Sequence, residues 1–132
     1  MQIPLPPGYQ SLVPFDREKH RTFGIAEQKR GAFAASLHGI SVLVPEFTHA
    51  ARHYPIVFVR DPASGKFVTL AVTGMDPGTN LYVDRDGKWA EHCYVPAYVR
   101  RWPFFTAPLA GKGTPERPES LVLVDEAGQR RT

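Results

Sequence analysis

The chain has 132 residues, 42% of them apolar and 22% charged, with a net charge of +3 and a single cysteine, Cys93. That size and composition fit one globular domain with a real core. They exclude an internal disulfide framework, and no apolar run approaches the roughly 18 residues of a membrane-spanning helix.

The basic surplus is dispersed rather than gathered. Acids and bases alternate in Asp16-Arg17-Glu18-Lys19, and only Arg100-Arg101 and Arg130-Arg131 stand as undiluted pairs. A nucleic-acid binder gathers such charge into a patch, so nucleic acid is not the expected partner. The 13 prolines are about twice the usual share, which favours short elements and rigid loops.

Residues 1–14 read as a proline-rich lead-in. Pro4, Pro6 and Pro7 favour polyproline-like geometry, while Leu5, Tyr9, Leu12 and Val13 offer apolar contacts. The segment lacks the basic and apolar regions of a secretion signal. With one lone thiol, the expected compartment is the cytoplasm, with association at the cell surface left open. Residues 15–106 are expected to form a single α+β domain, opening with a charged, exposed stretch at 15–22.

Residues 31–44 read as extended structure around His38-Gly39: Phe33, Ala35 and Leu37 alternate, and Ile40 to Val44 is β-branched and apolar. Pro45 then opens a short helix, Glu46 to His53, with Phe47, Ala50, Ala51 and Tyr54 on its apolar side. Pro55 ends it. Ile56–Arg60 and Phe67–Val72 read as strands joined by the turn Asp61-Pro62-Ala63-Ser64-Gly65-Lys66. After the turn at Asp76–Asn80, Leu81–Asp84 reads as a third strand, and Asp86-Gly87 turns the chain toward Trp89. The sum is an antiparallel meander with two short helices packed on it.

The second helix is expected from Pro96 to Arg101, stopped by Pro103. Residues 107–119, rich in Pro, Gly and charge, read as a flexible linker. Residues 120–132 hold a strand, Leu121 to Val124, and a turn at 125–128 that opens a hairpin with no second strand. This predicts an unpaired edge, either for a missing C-terminal half or for another chain.

Two constellations carry candidate chemistry. Glu46, His49 and His53 share one face of the first helix, and a carboxylate with two imidazoles can meet one zinc or iron ion. Read structurally, they are a polar helix flank. The second is the block Tyr94-Val95-Pro96-Ala97-Tyr98-Val99-Arg100-Arg101-Trp102-Pro103-Phe104-Phe105. Tyr94, Tyr98, Trp102 and Phe105 are spaced to form an aromatic stripe, either core or a partner-binding face. Aromatics with arginine are common interface anchors, so Tyr98, Arg100, Arg101, Trp102 and Phe105 are the expected contact residues. Cys93 beside His92 reads as an inert thiol, since neighbours on an extended segment point to opposite faces.

The run His53-Tyr54-Pro55-Ile56-Val57-Phe58, the Leu81-Tyr82-Val83-Asp84 and Asp86-Gly87-Lys88-Trp89 segments, and the aromatic block at 94–104 resemble, in order, the first half of the SapC family. The resemblance covers roughly residues 10–126, and its specific parts are 53–58 and 94–104. It implies a bacterial accessory protein linked to surface-layer (S-layer) systems, with a protein partner or self-association and no catalytic residue to carry over. The rival expectation is a metal-dependent enzyme built on Glu46, His49 and His53.

Overall fold

The computed structural model describes residues 5–26 and 29–128, with the backbone alone for Lys29 and Pro118. The Arg130-Arg131 pair and Pro4 lie outside the described residues. The fold is α+β, as expected: antiparallel strands with short helices. The chain divides into two compact units, named for their order along the chain: the inner, Gln28–Arg100, and the outer, Met1–Glu27 with Arg101–Thr132. The strands accordingly form two three-stranded sheets rather than one meander.

In the inner unit, helix α1 (Lys29–Ala34) replaces the extended structure expected there. Phe33, Ala34 and Leu37 are buried, a 3.6-period set that reads as alternation only if Ala34 is ignored. Gly31 is required: a Cβ there would lie 1.7 Å from the Gly87 carbonyl oxygen. The end of α1 is held by Asn80, whose side-chain N–H donates to the Ala34 carbonyl at 3.0 Å. The sheet has the order β2 (Gly39–Ser41), β4 (Phe67–Val72), β3 (Ile56–Arg60). Between β2 and β3, a 3₁₀ turn (Val44–Glu46) runs into α2 (Phe47–Ala50), shorter than the helix expected to His53.

Cross-strand pairs share a face. Ile56 pairs with Ala71, Phe58 with Thr69 and Arg60 with Phe67; Val57–Leu70 and Val59–Val68 lie on the opposite face. At its Ile56–Ala71 end the first face meets the core of Val42, Ala50, Tyr54 and Ala71, with Phe47, Tyr82, Trp89 and Tyr94 around it, while Phe58 and Phe67 toward the turn are exposed. Full burial of each large apolar side chain there contributes about 1.5–3 kcal/mol. Leu81–Asp84 is not a third strand. Only Val83 bridges to Trp89, because the Asp84 carboxylate accepts the Asp86 and Lys88 N–H groups and closes a tight turn. Helix α3 (Ala97–Arg100) ends the unit.

In the outer unit, residues 107–119 are not a linker. They lie in β5 (Phe104–Gly113), in β6 (Pro118–Asp125) and in the turn between, an antiparallel hairpin with an irregularity between Pro108 and Gly113. Nor is β6 an open edge. It is the middle strand, paired on its other side with β1 (Leu12–Pro14), which comes from the proline-rich lead-in. Pro14 is tolerated because an edge strand need not donate on both sides. The turn expected at 125–128 is a 3₁₀ segment, Glu126–Gly128. Within the charged 15–22 stretch, His20 is buried, stacked on Phe15 at 5.5 Å.

Asp125 fastens these parts. It is fully buried, and its carboxylate accepts the main-chain N–H groups of Gln10 (3.0 Å), Ser11 (3.0 Å) and Ala127 (3.1 Å) and the Trp102 indole N–H (3.3 Å). Asp125→Ala strands these donors and should destabilise the outer unit by about 3 kcal/mol or more. Denaturant unfolding followed by Trp102 fluorescence measures the loss; an unchanged midpoint would show that the carboxylate does not hold the unit.

Candidate functional site

The proposed metal face is used for another purpose. Glu46 is only 8% exposed. Its Oε2 accepts the Leu43 N–H at 2.8 Å, the return bond of a helix-start capping arrangement. Its Oε1 accepts the Tyr94 hydroxyl at 2.8 Å and the Ala97 N–H at 2.7 Å. One carboxylate therefore ties the start of α2 to the start of α3, 51 residues along the chain.

The two histidines point elsewhere. His49 stacks on the Tyr94 ring at 5.7 Å, and His53 packs edgewise on Tyr54 at 6.1 Å while its carbonyl accepts the Tyr82 hydroxyl. Among the described residues, no group of three His, Cys, Asp or Glu side chains is placed to hold a metal ion. Glu46, His49 and His53 thus do not form the expected zinc or iron site. The sequence spacing is right, but the helix is too short to carry His53 on the same face, and both carboxylate oxygens are already in use.

Burial works to raise the Glu46 pKa, but the Ala97, Leu43 and Tyr94 donors and the Arg100 charge outweigh it and hold the carboxyl below the usual value near 4.5. Around it runs a phenol network. The Trp89 indole N–H donates to the Tyr54 hydroxyl at 3.0 Å, and that hydroxyl donates to the Tyr94 carbonyl. Burial pushes the Tyr54 phenol up to about 12. Arg100 lies 5.5 Å over the Tyr94 ring and donates to the Tyr94 hydroxyl and the Val95 carbonyl.

The aromatic block is not one stripe. Helix α3 stops at Arg100, so Tyr98 belongs to the inner unit, while Arg101, Trp102 and Phe105 belong to the outer one. Tyr98 is half-buried and stacks on Phe33 at 5.9 Å. Trp102 is 4% exposed and bonded to Asp125, so it is core and not a contact residue. Phe105 packs edgewise on Tyr9 at 5.3 Å, with the exposed Arg101 guanidinium 4.4 Å over its ring. Of the expected contact residues, Arg100 and Arg101 are exposed.

An open concavity of about 360 Å³ lies beside Leu81, Tyr82, Asp84, Lys88, Trp89 and Glu91. Its Asp84 Oδ1 is taken by the turn and its Trp89 N–H by Tyr54, so Asp84 Oδ2, Lys88 and Glu91 supply its remaining polar chemistry. Cys93 is half-buried, and His92 beside it adopts a left-handed backbone, φ 62°.

The larger exposed feature was missed by reasoning from motifs. Val57, Phe58, Val59, Phe67 and Val68 of the β3–β4 hairpin are all exposed, Phe58 by 65% and Phe67 by 69%. The signal was in the sequence: Ile56-Val57-Phe58-Val59 is an unbroken apolar run, whereas a strand with one wet face alternates with polar residues.

The sequence comparison gives the family. The SapC family model matches residues 15–132. The chain belongs to the SapC family. No curated protein and no solved structure matches the chain. The SapC match covers residues of both units, and Glu46 and Asp125 both lie inside it, while the Asp125 partners Gln10 and Ser11 lie before it. No helix among the described residues of this SapC chain is long and apolar enough to cross a membrane.

The Glu46 carboxyl is held low in the folded state, so its contribution is fully present above the ordinary glutamate pKa and is lost as pH falls through the folded value. Glu46→Gln should cost about 1–2 kcal/mol at pH 7. The gap between wild type and variant should shrink from pH 7 to pH 3 in urea unfolding. A gap that stays constant with pH would contradict the charged role.

Proposed function

We propose that this SapC protein works by binding protein, as a non-enzymatic accessory factor linked to the bacterial cell surface. The observation that carries the reading is the uncovered apolar surface of the β3–β4 hairpin. Its two exposed phenylalanines and three exposed valines cost free energy in water and return it when covered. The polar side chains first in line for chemistry have structural duties instead: Glu46 accepts three donors and Asp125 four. The family's link to surface-layer systems supplies the expected setting.

A photo-crosslinking residue in place of Phe67 tests this in the source bacterium, with one in place of His92 as control. The reading predicts protein adducts at position 67, with a cell-surface component among them, and none at 92. Phe67→Ser should lower adduct formation from a neighbouring crosslinker at Val68 several-fold without changing thermal stability. Absence of any protein adduct at both 67 and 68 would overturn the reading.

A further inference from the structure

The outer edge of β3 has a property beyond exposure, and it deepens the binding role just proposed, on which it rests. Strand β3 ends its sheet, with β4 its only neighbour among the described residues. The Val72 N–H donates to the Pro55 carbonyl at 2.9 Å, so position 55 directs its main-chain groups toward β4. In an antiparallel ladder that direction alternates. Val57 and Val59 therefore serve β4, and Ile56, Phe58 and Arg60 present their N–H and C=O groups to the open edge.

Natural edges are blunted by proline, lysine, a bulge or an inward charge. Within Ile56–Arg60 there is no proline, no lysine and no break in the pairing register, and the one charge, Arg60, sits at the end. We propose that β3 pairs antiparallel with β3 of a second copy of this chain, across a two-fold axis through Phe58. That register sets Phe58 opposite its own copy and Ile56 opposite Arg60. All of these are edge-directed, so the open donors and acceptors of three residues on each strand are satisfied at once. Val57 then faces Val59 of the second copy on the far side of the sheet. Two three-stranded sheets become one of six strands, with the exposed valines in a continuous stripe. An isologous contact requires a strand complementary to itself, and β3 meets that requirement in this register.

Area sets the strength. The exposed parts of Val57, Phe58 and Val59, the apolar side chains of the paired edge, amount to roughly 250 Å². A standard interface buries about 800 Å² per partner. The dimer is therefore a weak one, to be sought at high micromolar concentration.

Sedimentation velocity from 1 to 200 µM is the test. Wild type should pass from monomer to dimer across that range. Phe58→Lys, which puts a charge on the edge, and Phe58→Pro, which removes an edge-directed donor without breaking a bond to β4, should both stay monomeric. Far-UV circular dichroism checks their folding. If either variant fails to fold, Phe58→Cys in a Cys93→Ala background replaces it. Facing positions in a bonded antiparallel pair lie about 5.5 Å apart, within disulfide reach. Oxidation should then give a crosslinked dimer at least tenfold faster than with Ser64→Cys in the exposed turn. A wild-type chain monomeric at 200 µM, a dimer that survives in folded Phe58 variants, or equal crosslinking at 58 and 64 would each overturn the proposal. The outcomes separate it from the broader reading. A monomer that still gives adducts to a different protein at position 67 sinks self-pairing alone. A monomer without adducts sinks both.

Discussion

Four N–H donors converge on the buried carboxylate of Asp125, and three donors on that of Glu46. Removing a carboxylate from water is costly, and charge-assisted hydrogen bonds of this kind are what offset the cost. Each carboxylate does for its unit what a long helix or an extended ladder does in larger folds. Asp125 collects the lead-in strand, Trp102 and the end of β6. Glu46 collects the start of α2 and the start of α3. The elements themselves are too short to be stable alone: α2 and α3 have four residues each and β1 three. An isolated helix of that length does not survive in water, so it is the anchoring that specifies these pieces.

That constraint also shapes what the surface can do. Glu46, Tyr94 and Arg100 look like reactive groups by type, yet each spends its hydrogen bonds on holding chain segments together. The Tyr54 phenol, pushed up by burial, stays protonated and serves as a donor to the Tyr94 carbonyl. What the inner unit leaves to solvent is an apolar hairpin with an unblunted edge. In the binding role proposed above, another polypeptide covers that hairpin.

Much of the local structure was legible. The β3–β4 hairpin follows from its β-branched runs and the Asp61–Lys66 turn, and Glu46 does open a helical segment as its position after Pro45 predicts. Long-range roles were not. The Asp125 partners Gln10 and Ser11 lie 115 and 114 residues away, and no local pattern marks them. The same blindness explains the misreading of 107–119. Pro108, Gly111 and Gly113 signal a loop locally, but pairing with Leu121, Ser120 and Pro118 holds the segment as a strand. Likewise Trp102 reads as an exposed anchor until the strand bearing its acceptor is folded against it. The metal face failed for a related reason: helical spacing places Glu46, His49 and His53 together only if the helix persists, and it ends at Ala50.

Amide hydrogen exchange tests the carboxylate anchoring most directly. The Leu43, Gln10, Ser11 and Ala97 N–H groups lie outside the strand ladders and have a carboxylate as their acceptor. The account predicts that they exchange as slowly as amides inside β4 and β6, and that Glu46→Gln and Asp125→Asn each release their own set. Exchange of these four amides at the rate of the exposed turn at 61–66 would show that the buried carboxylates do not hold the units together.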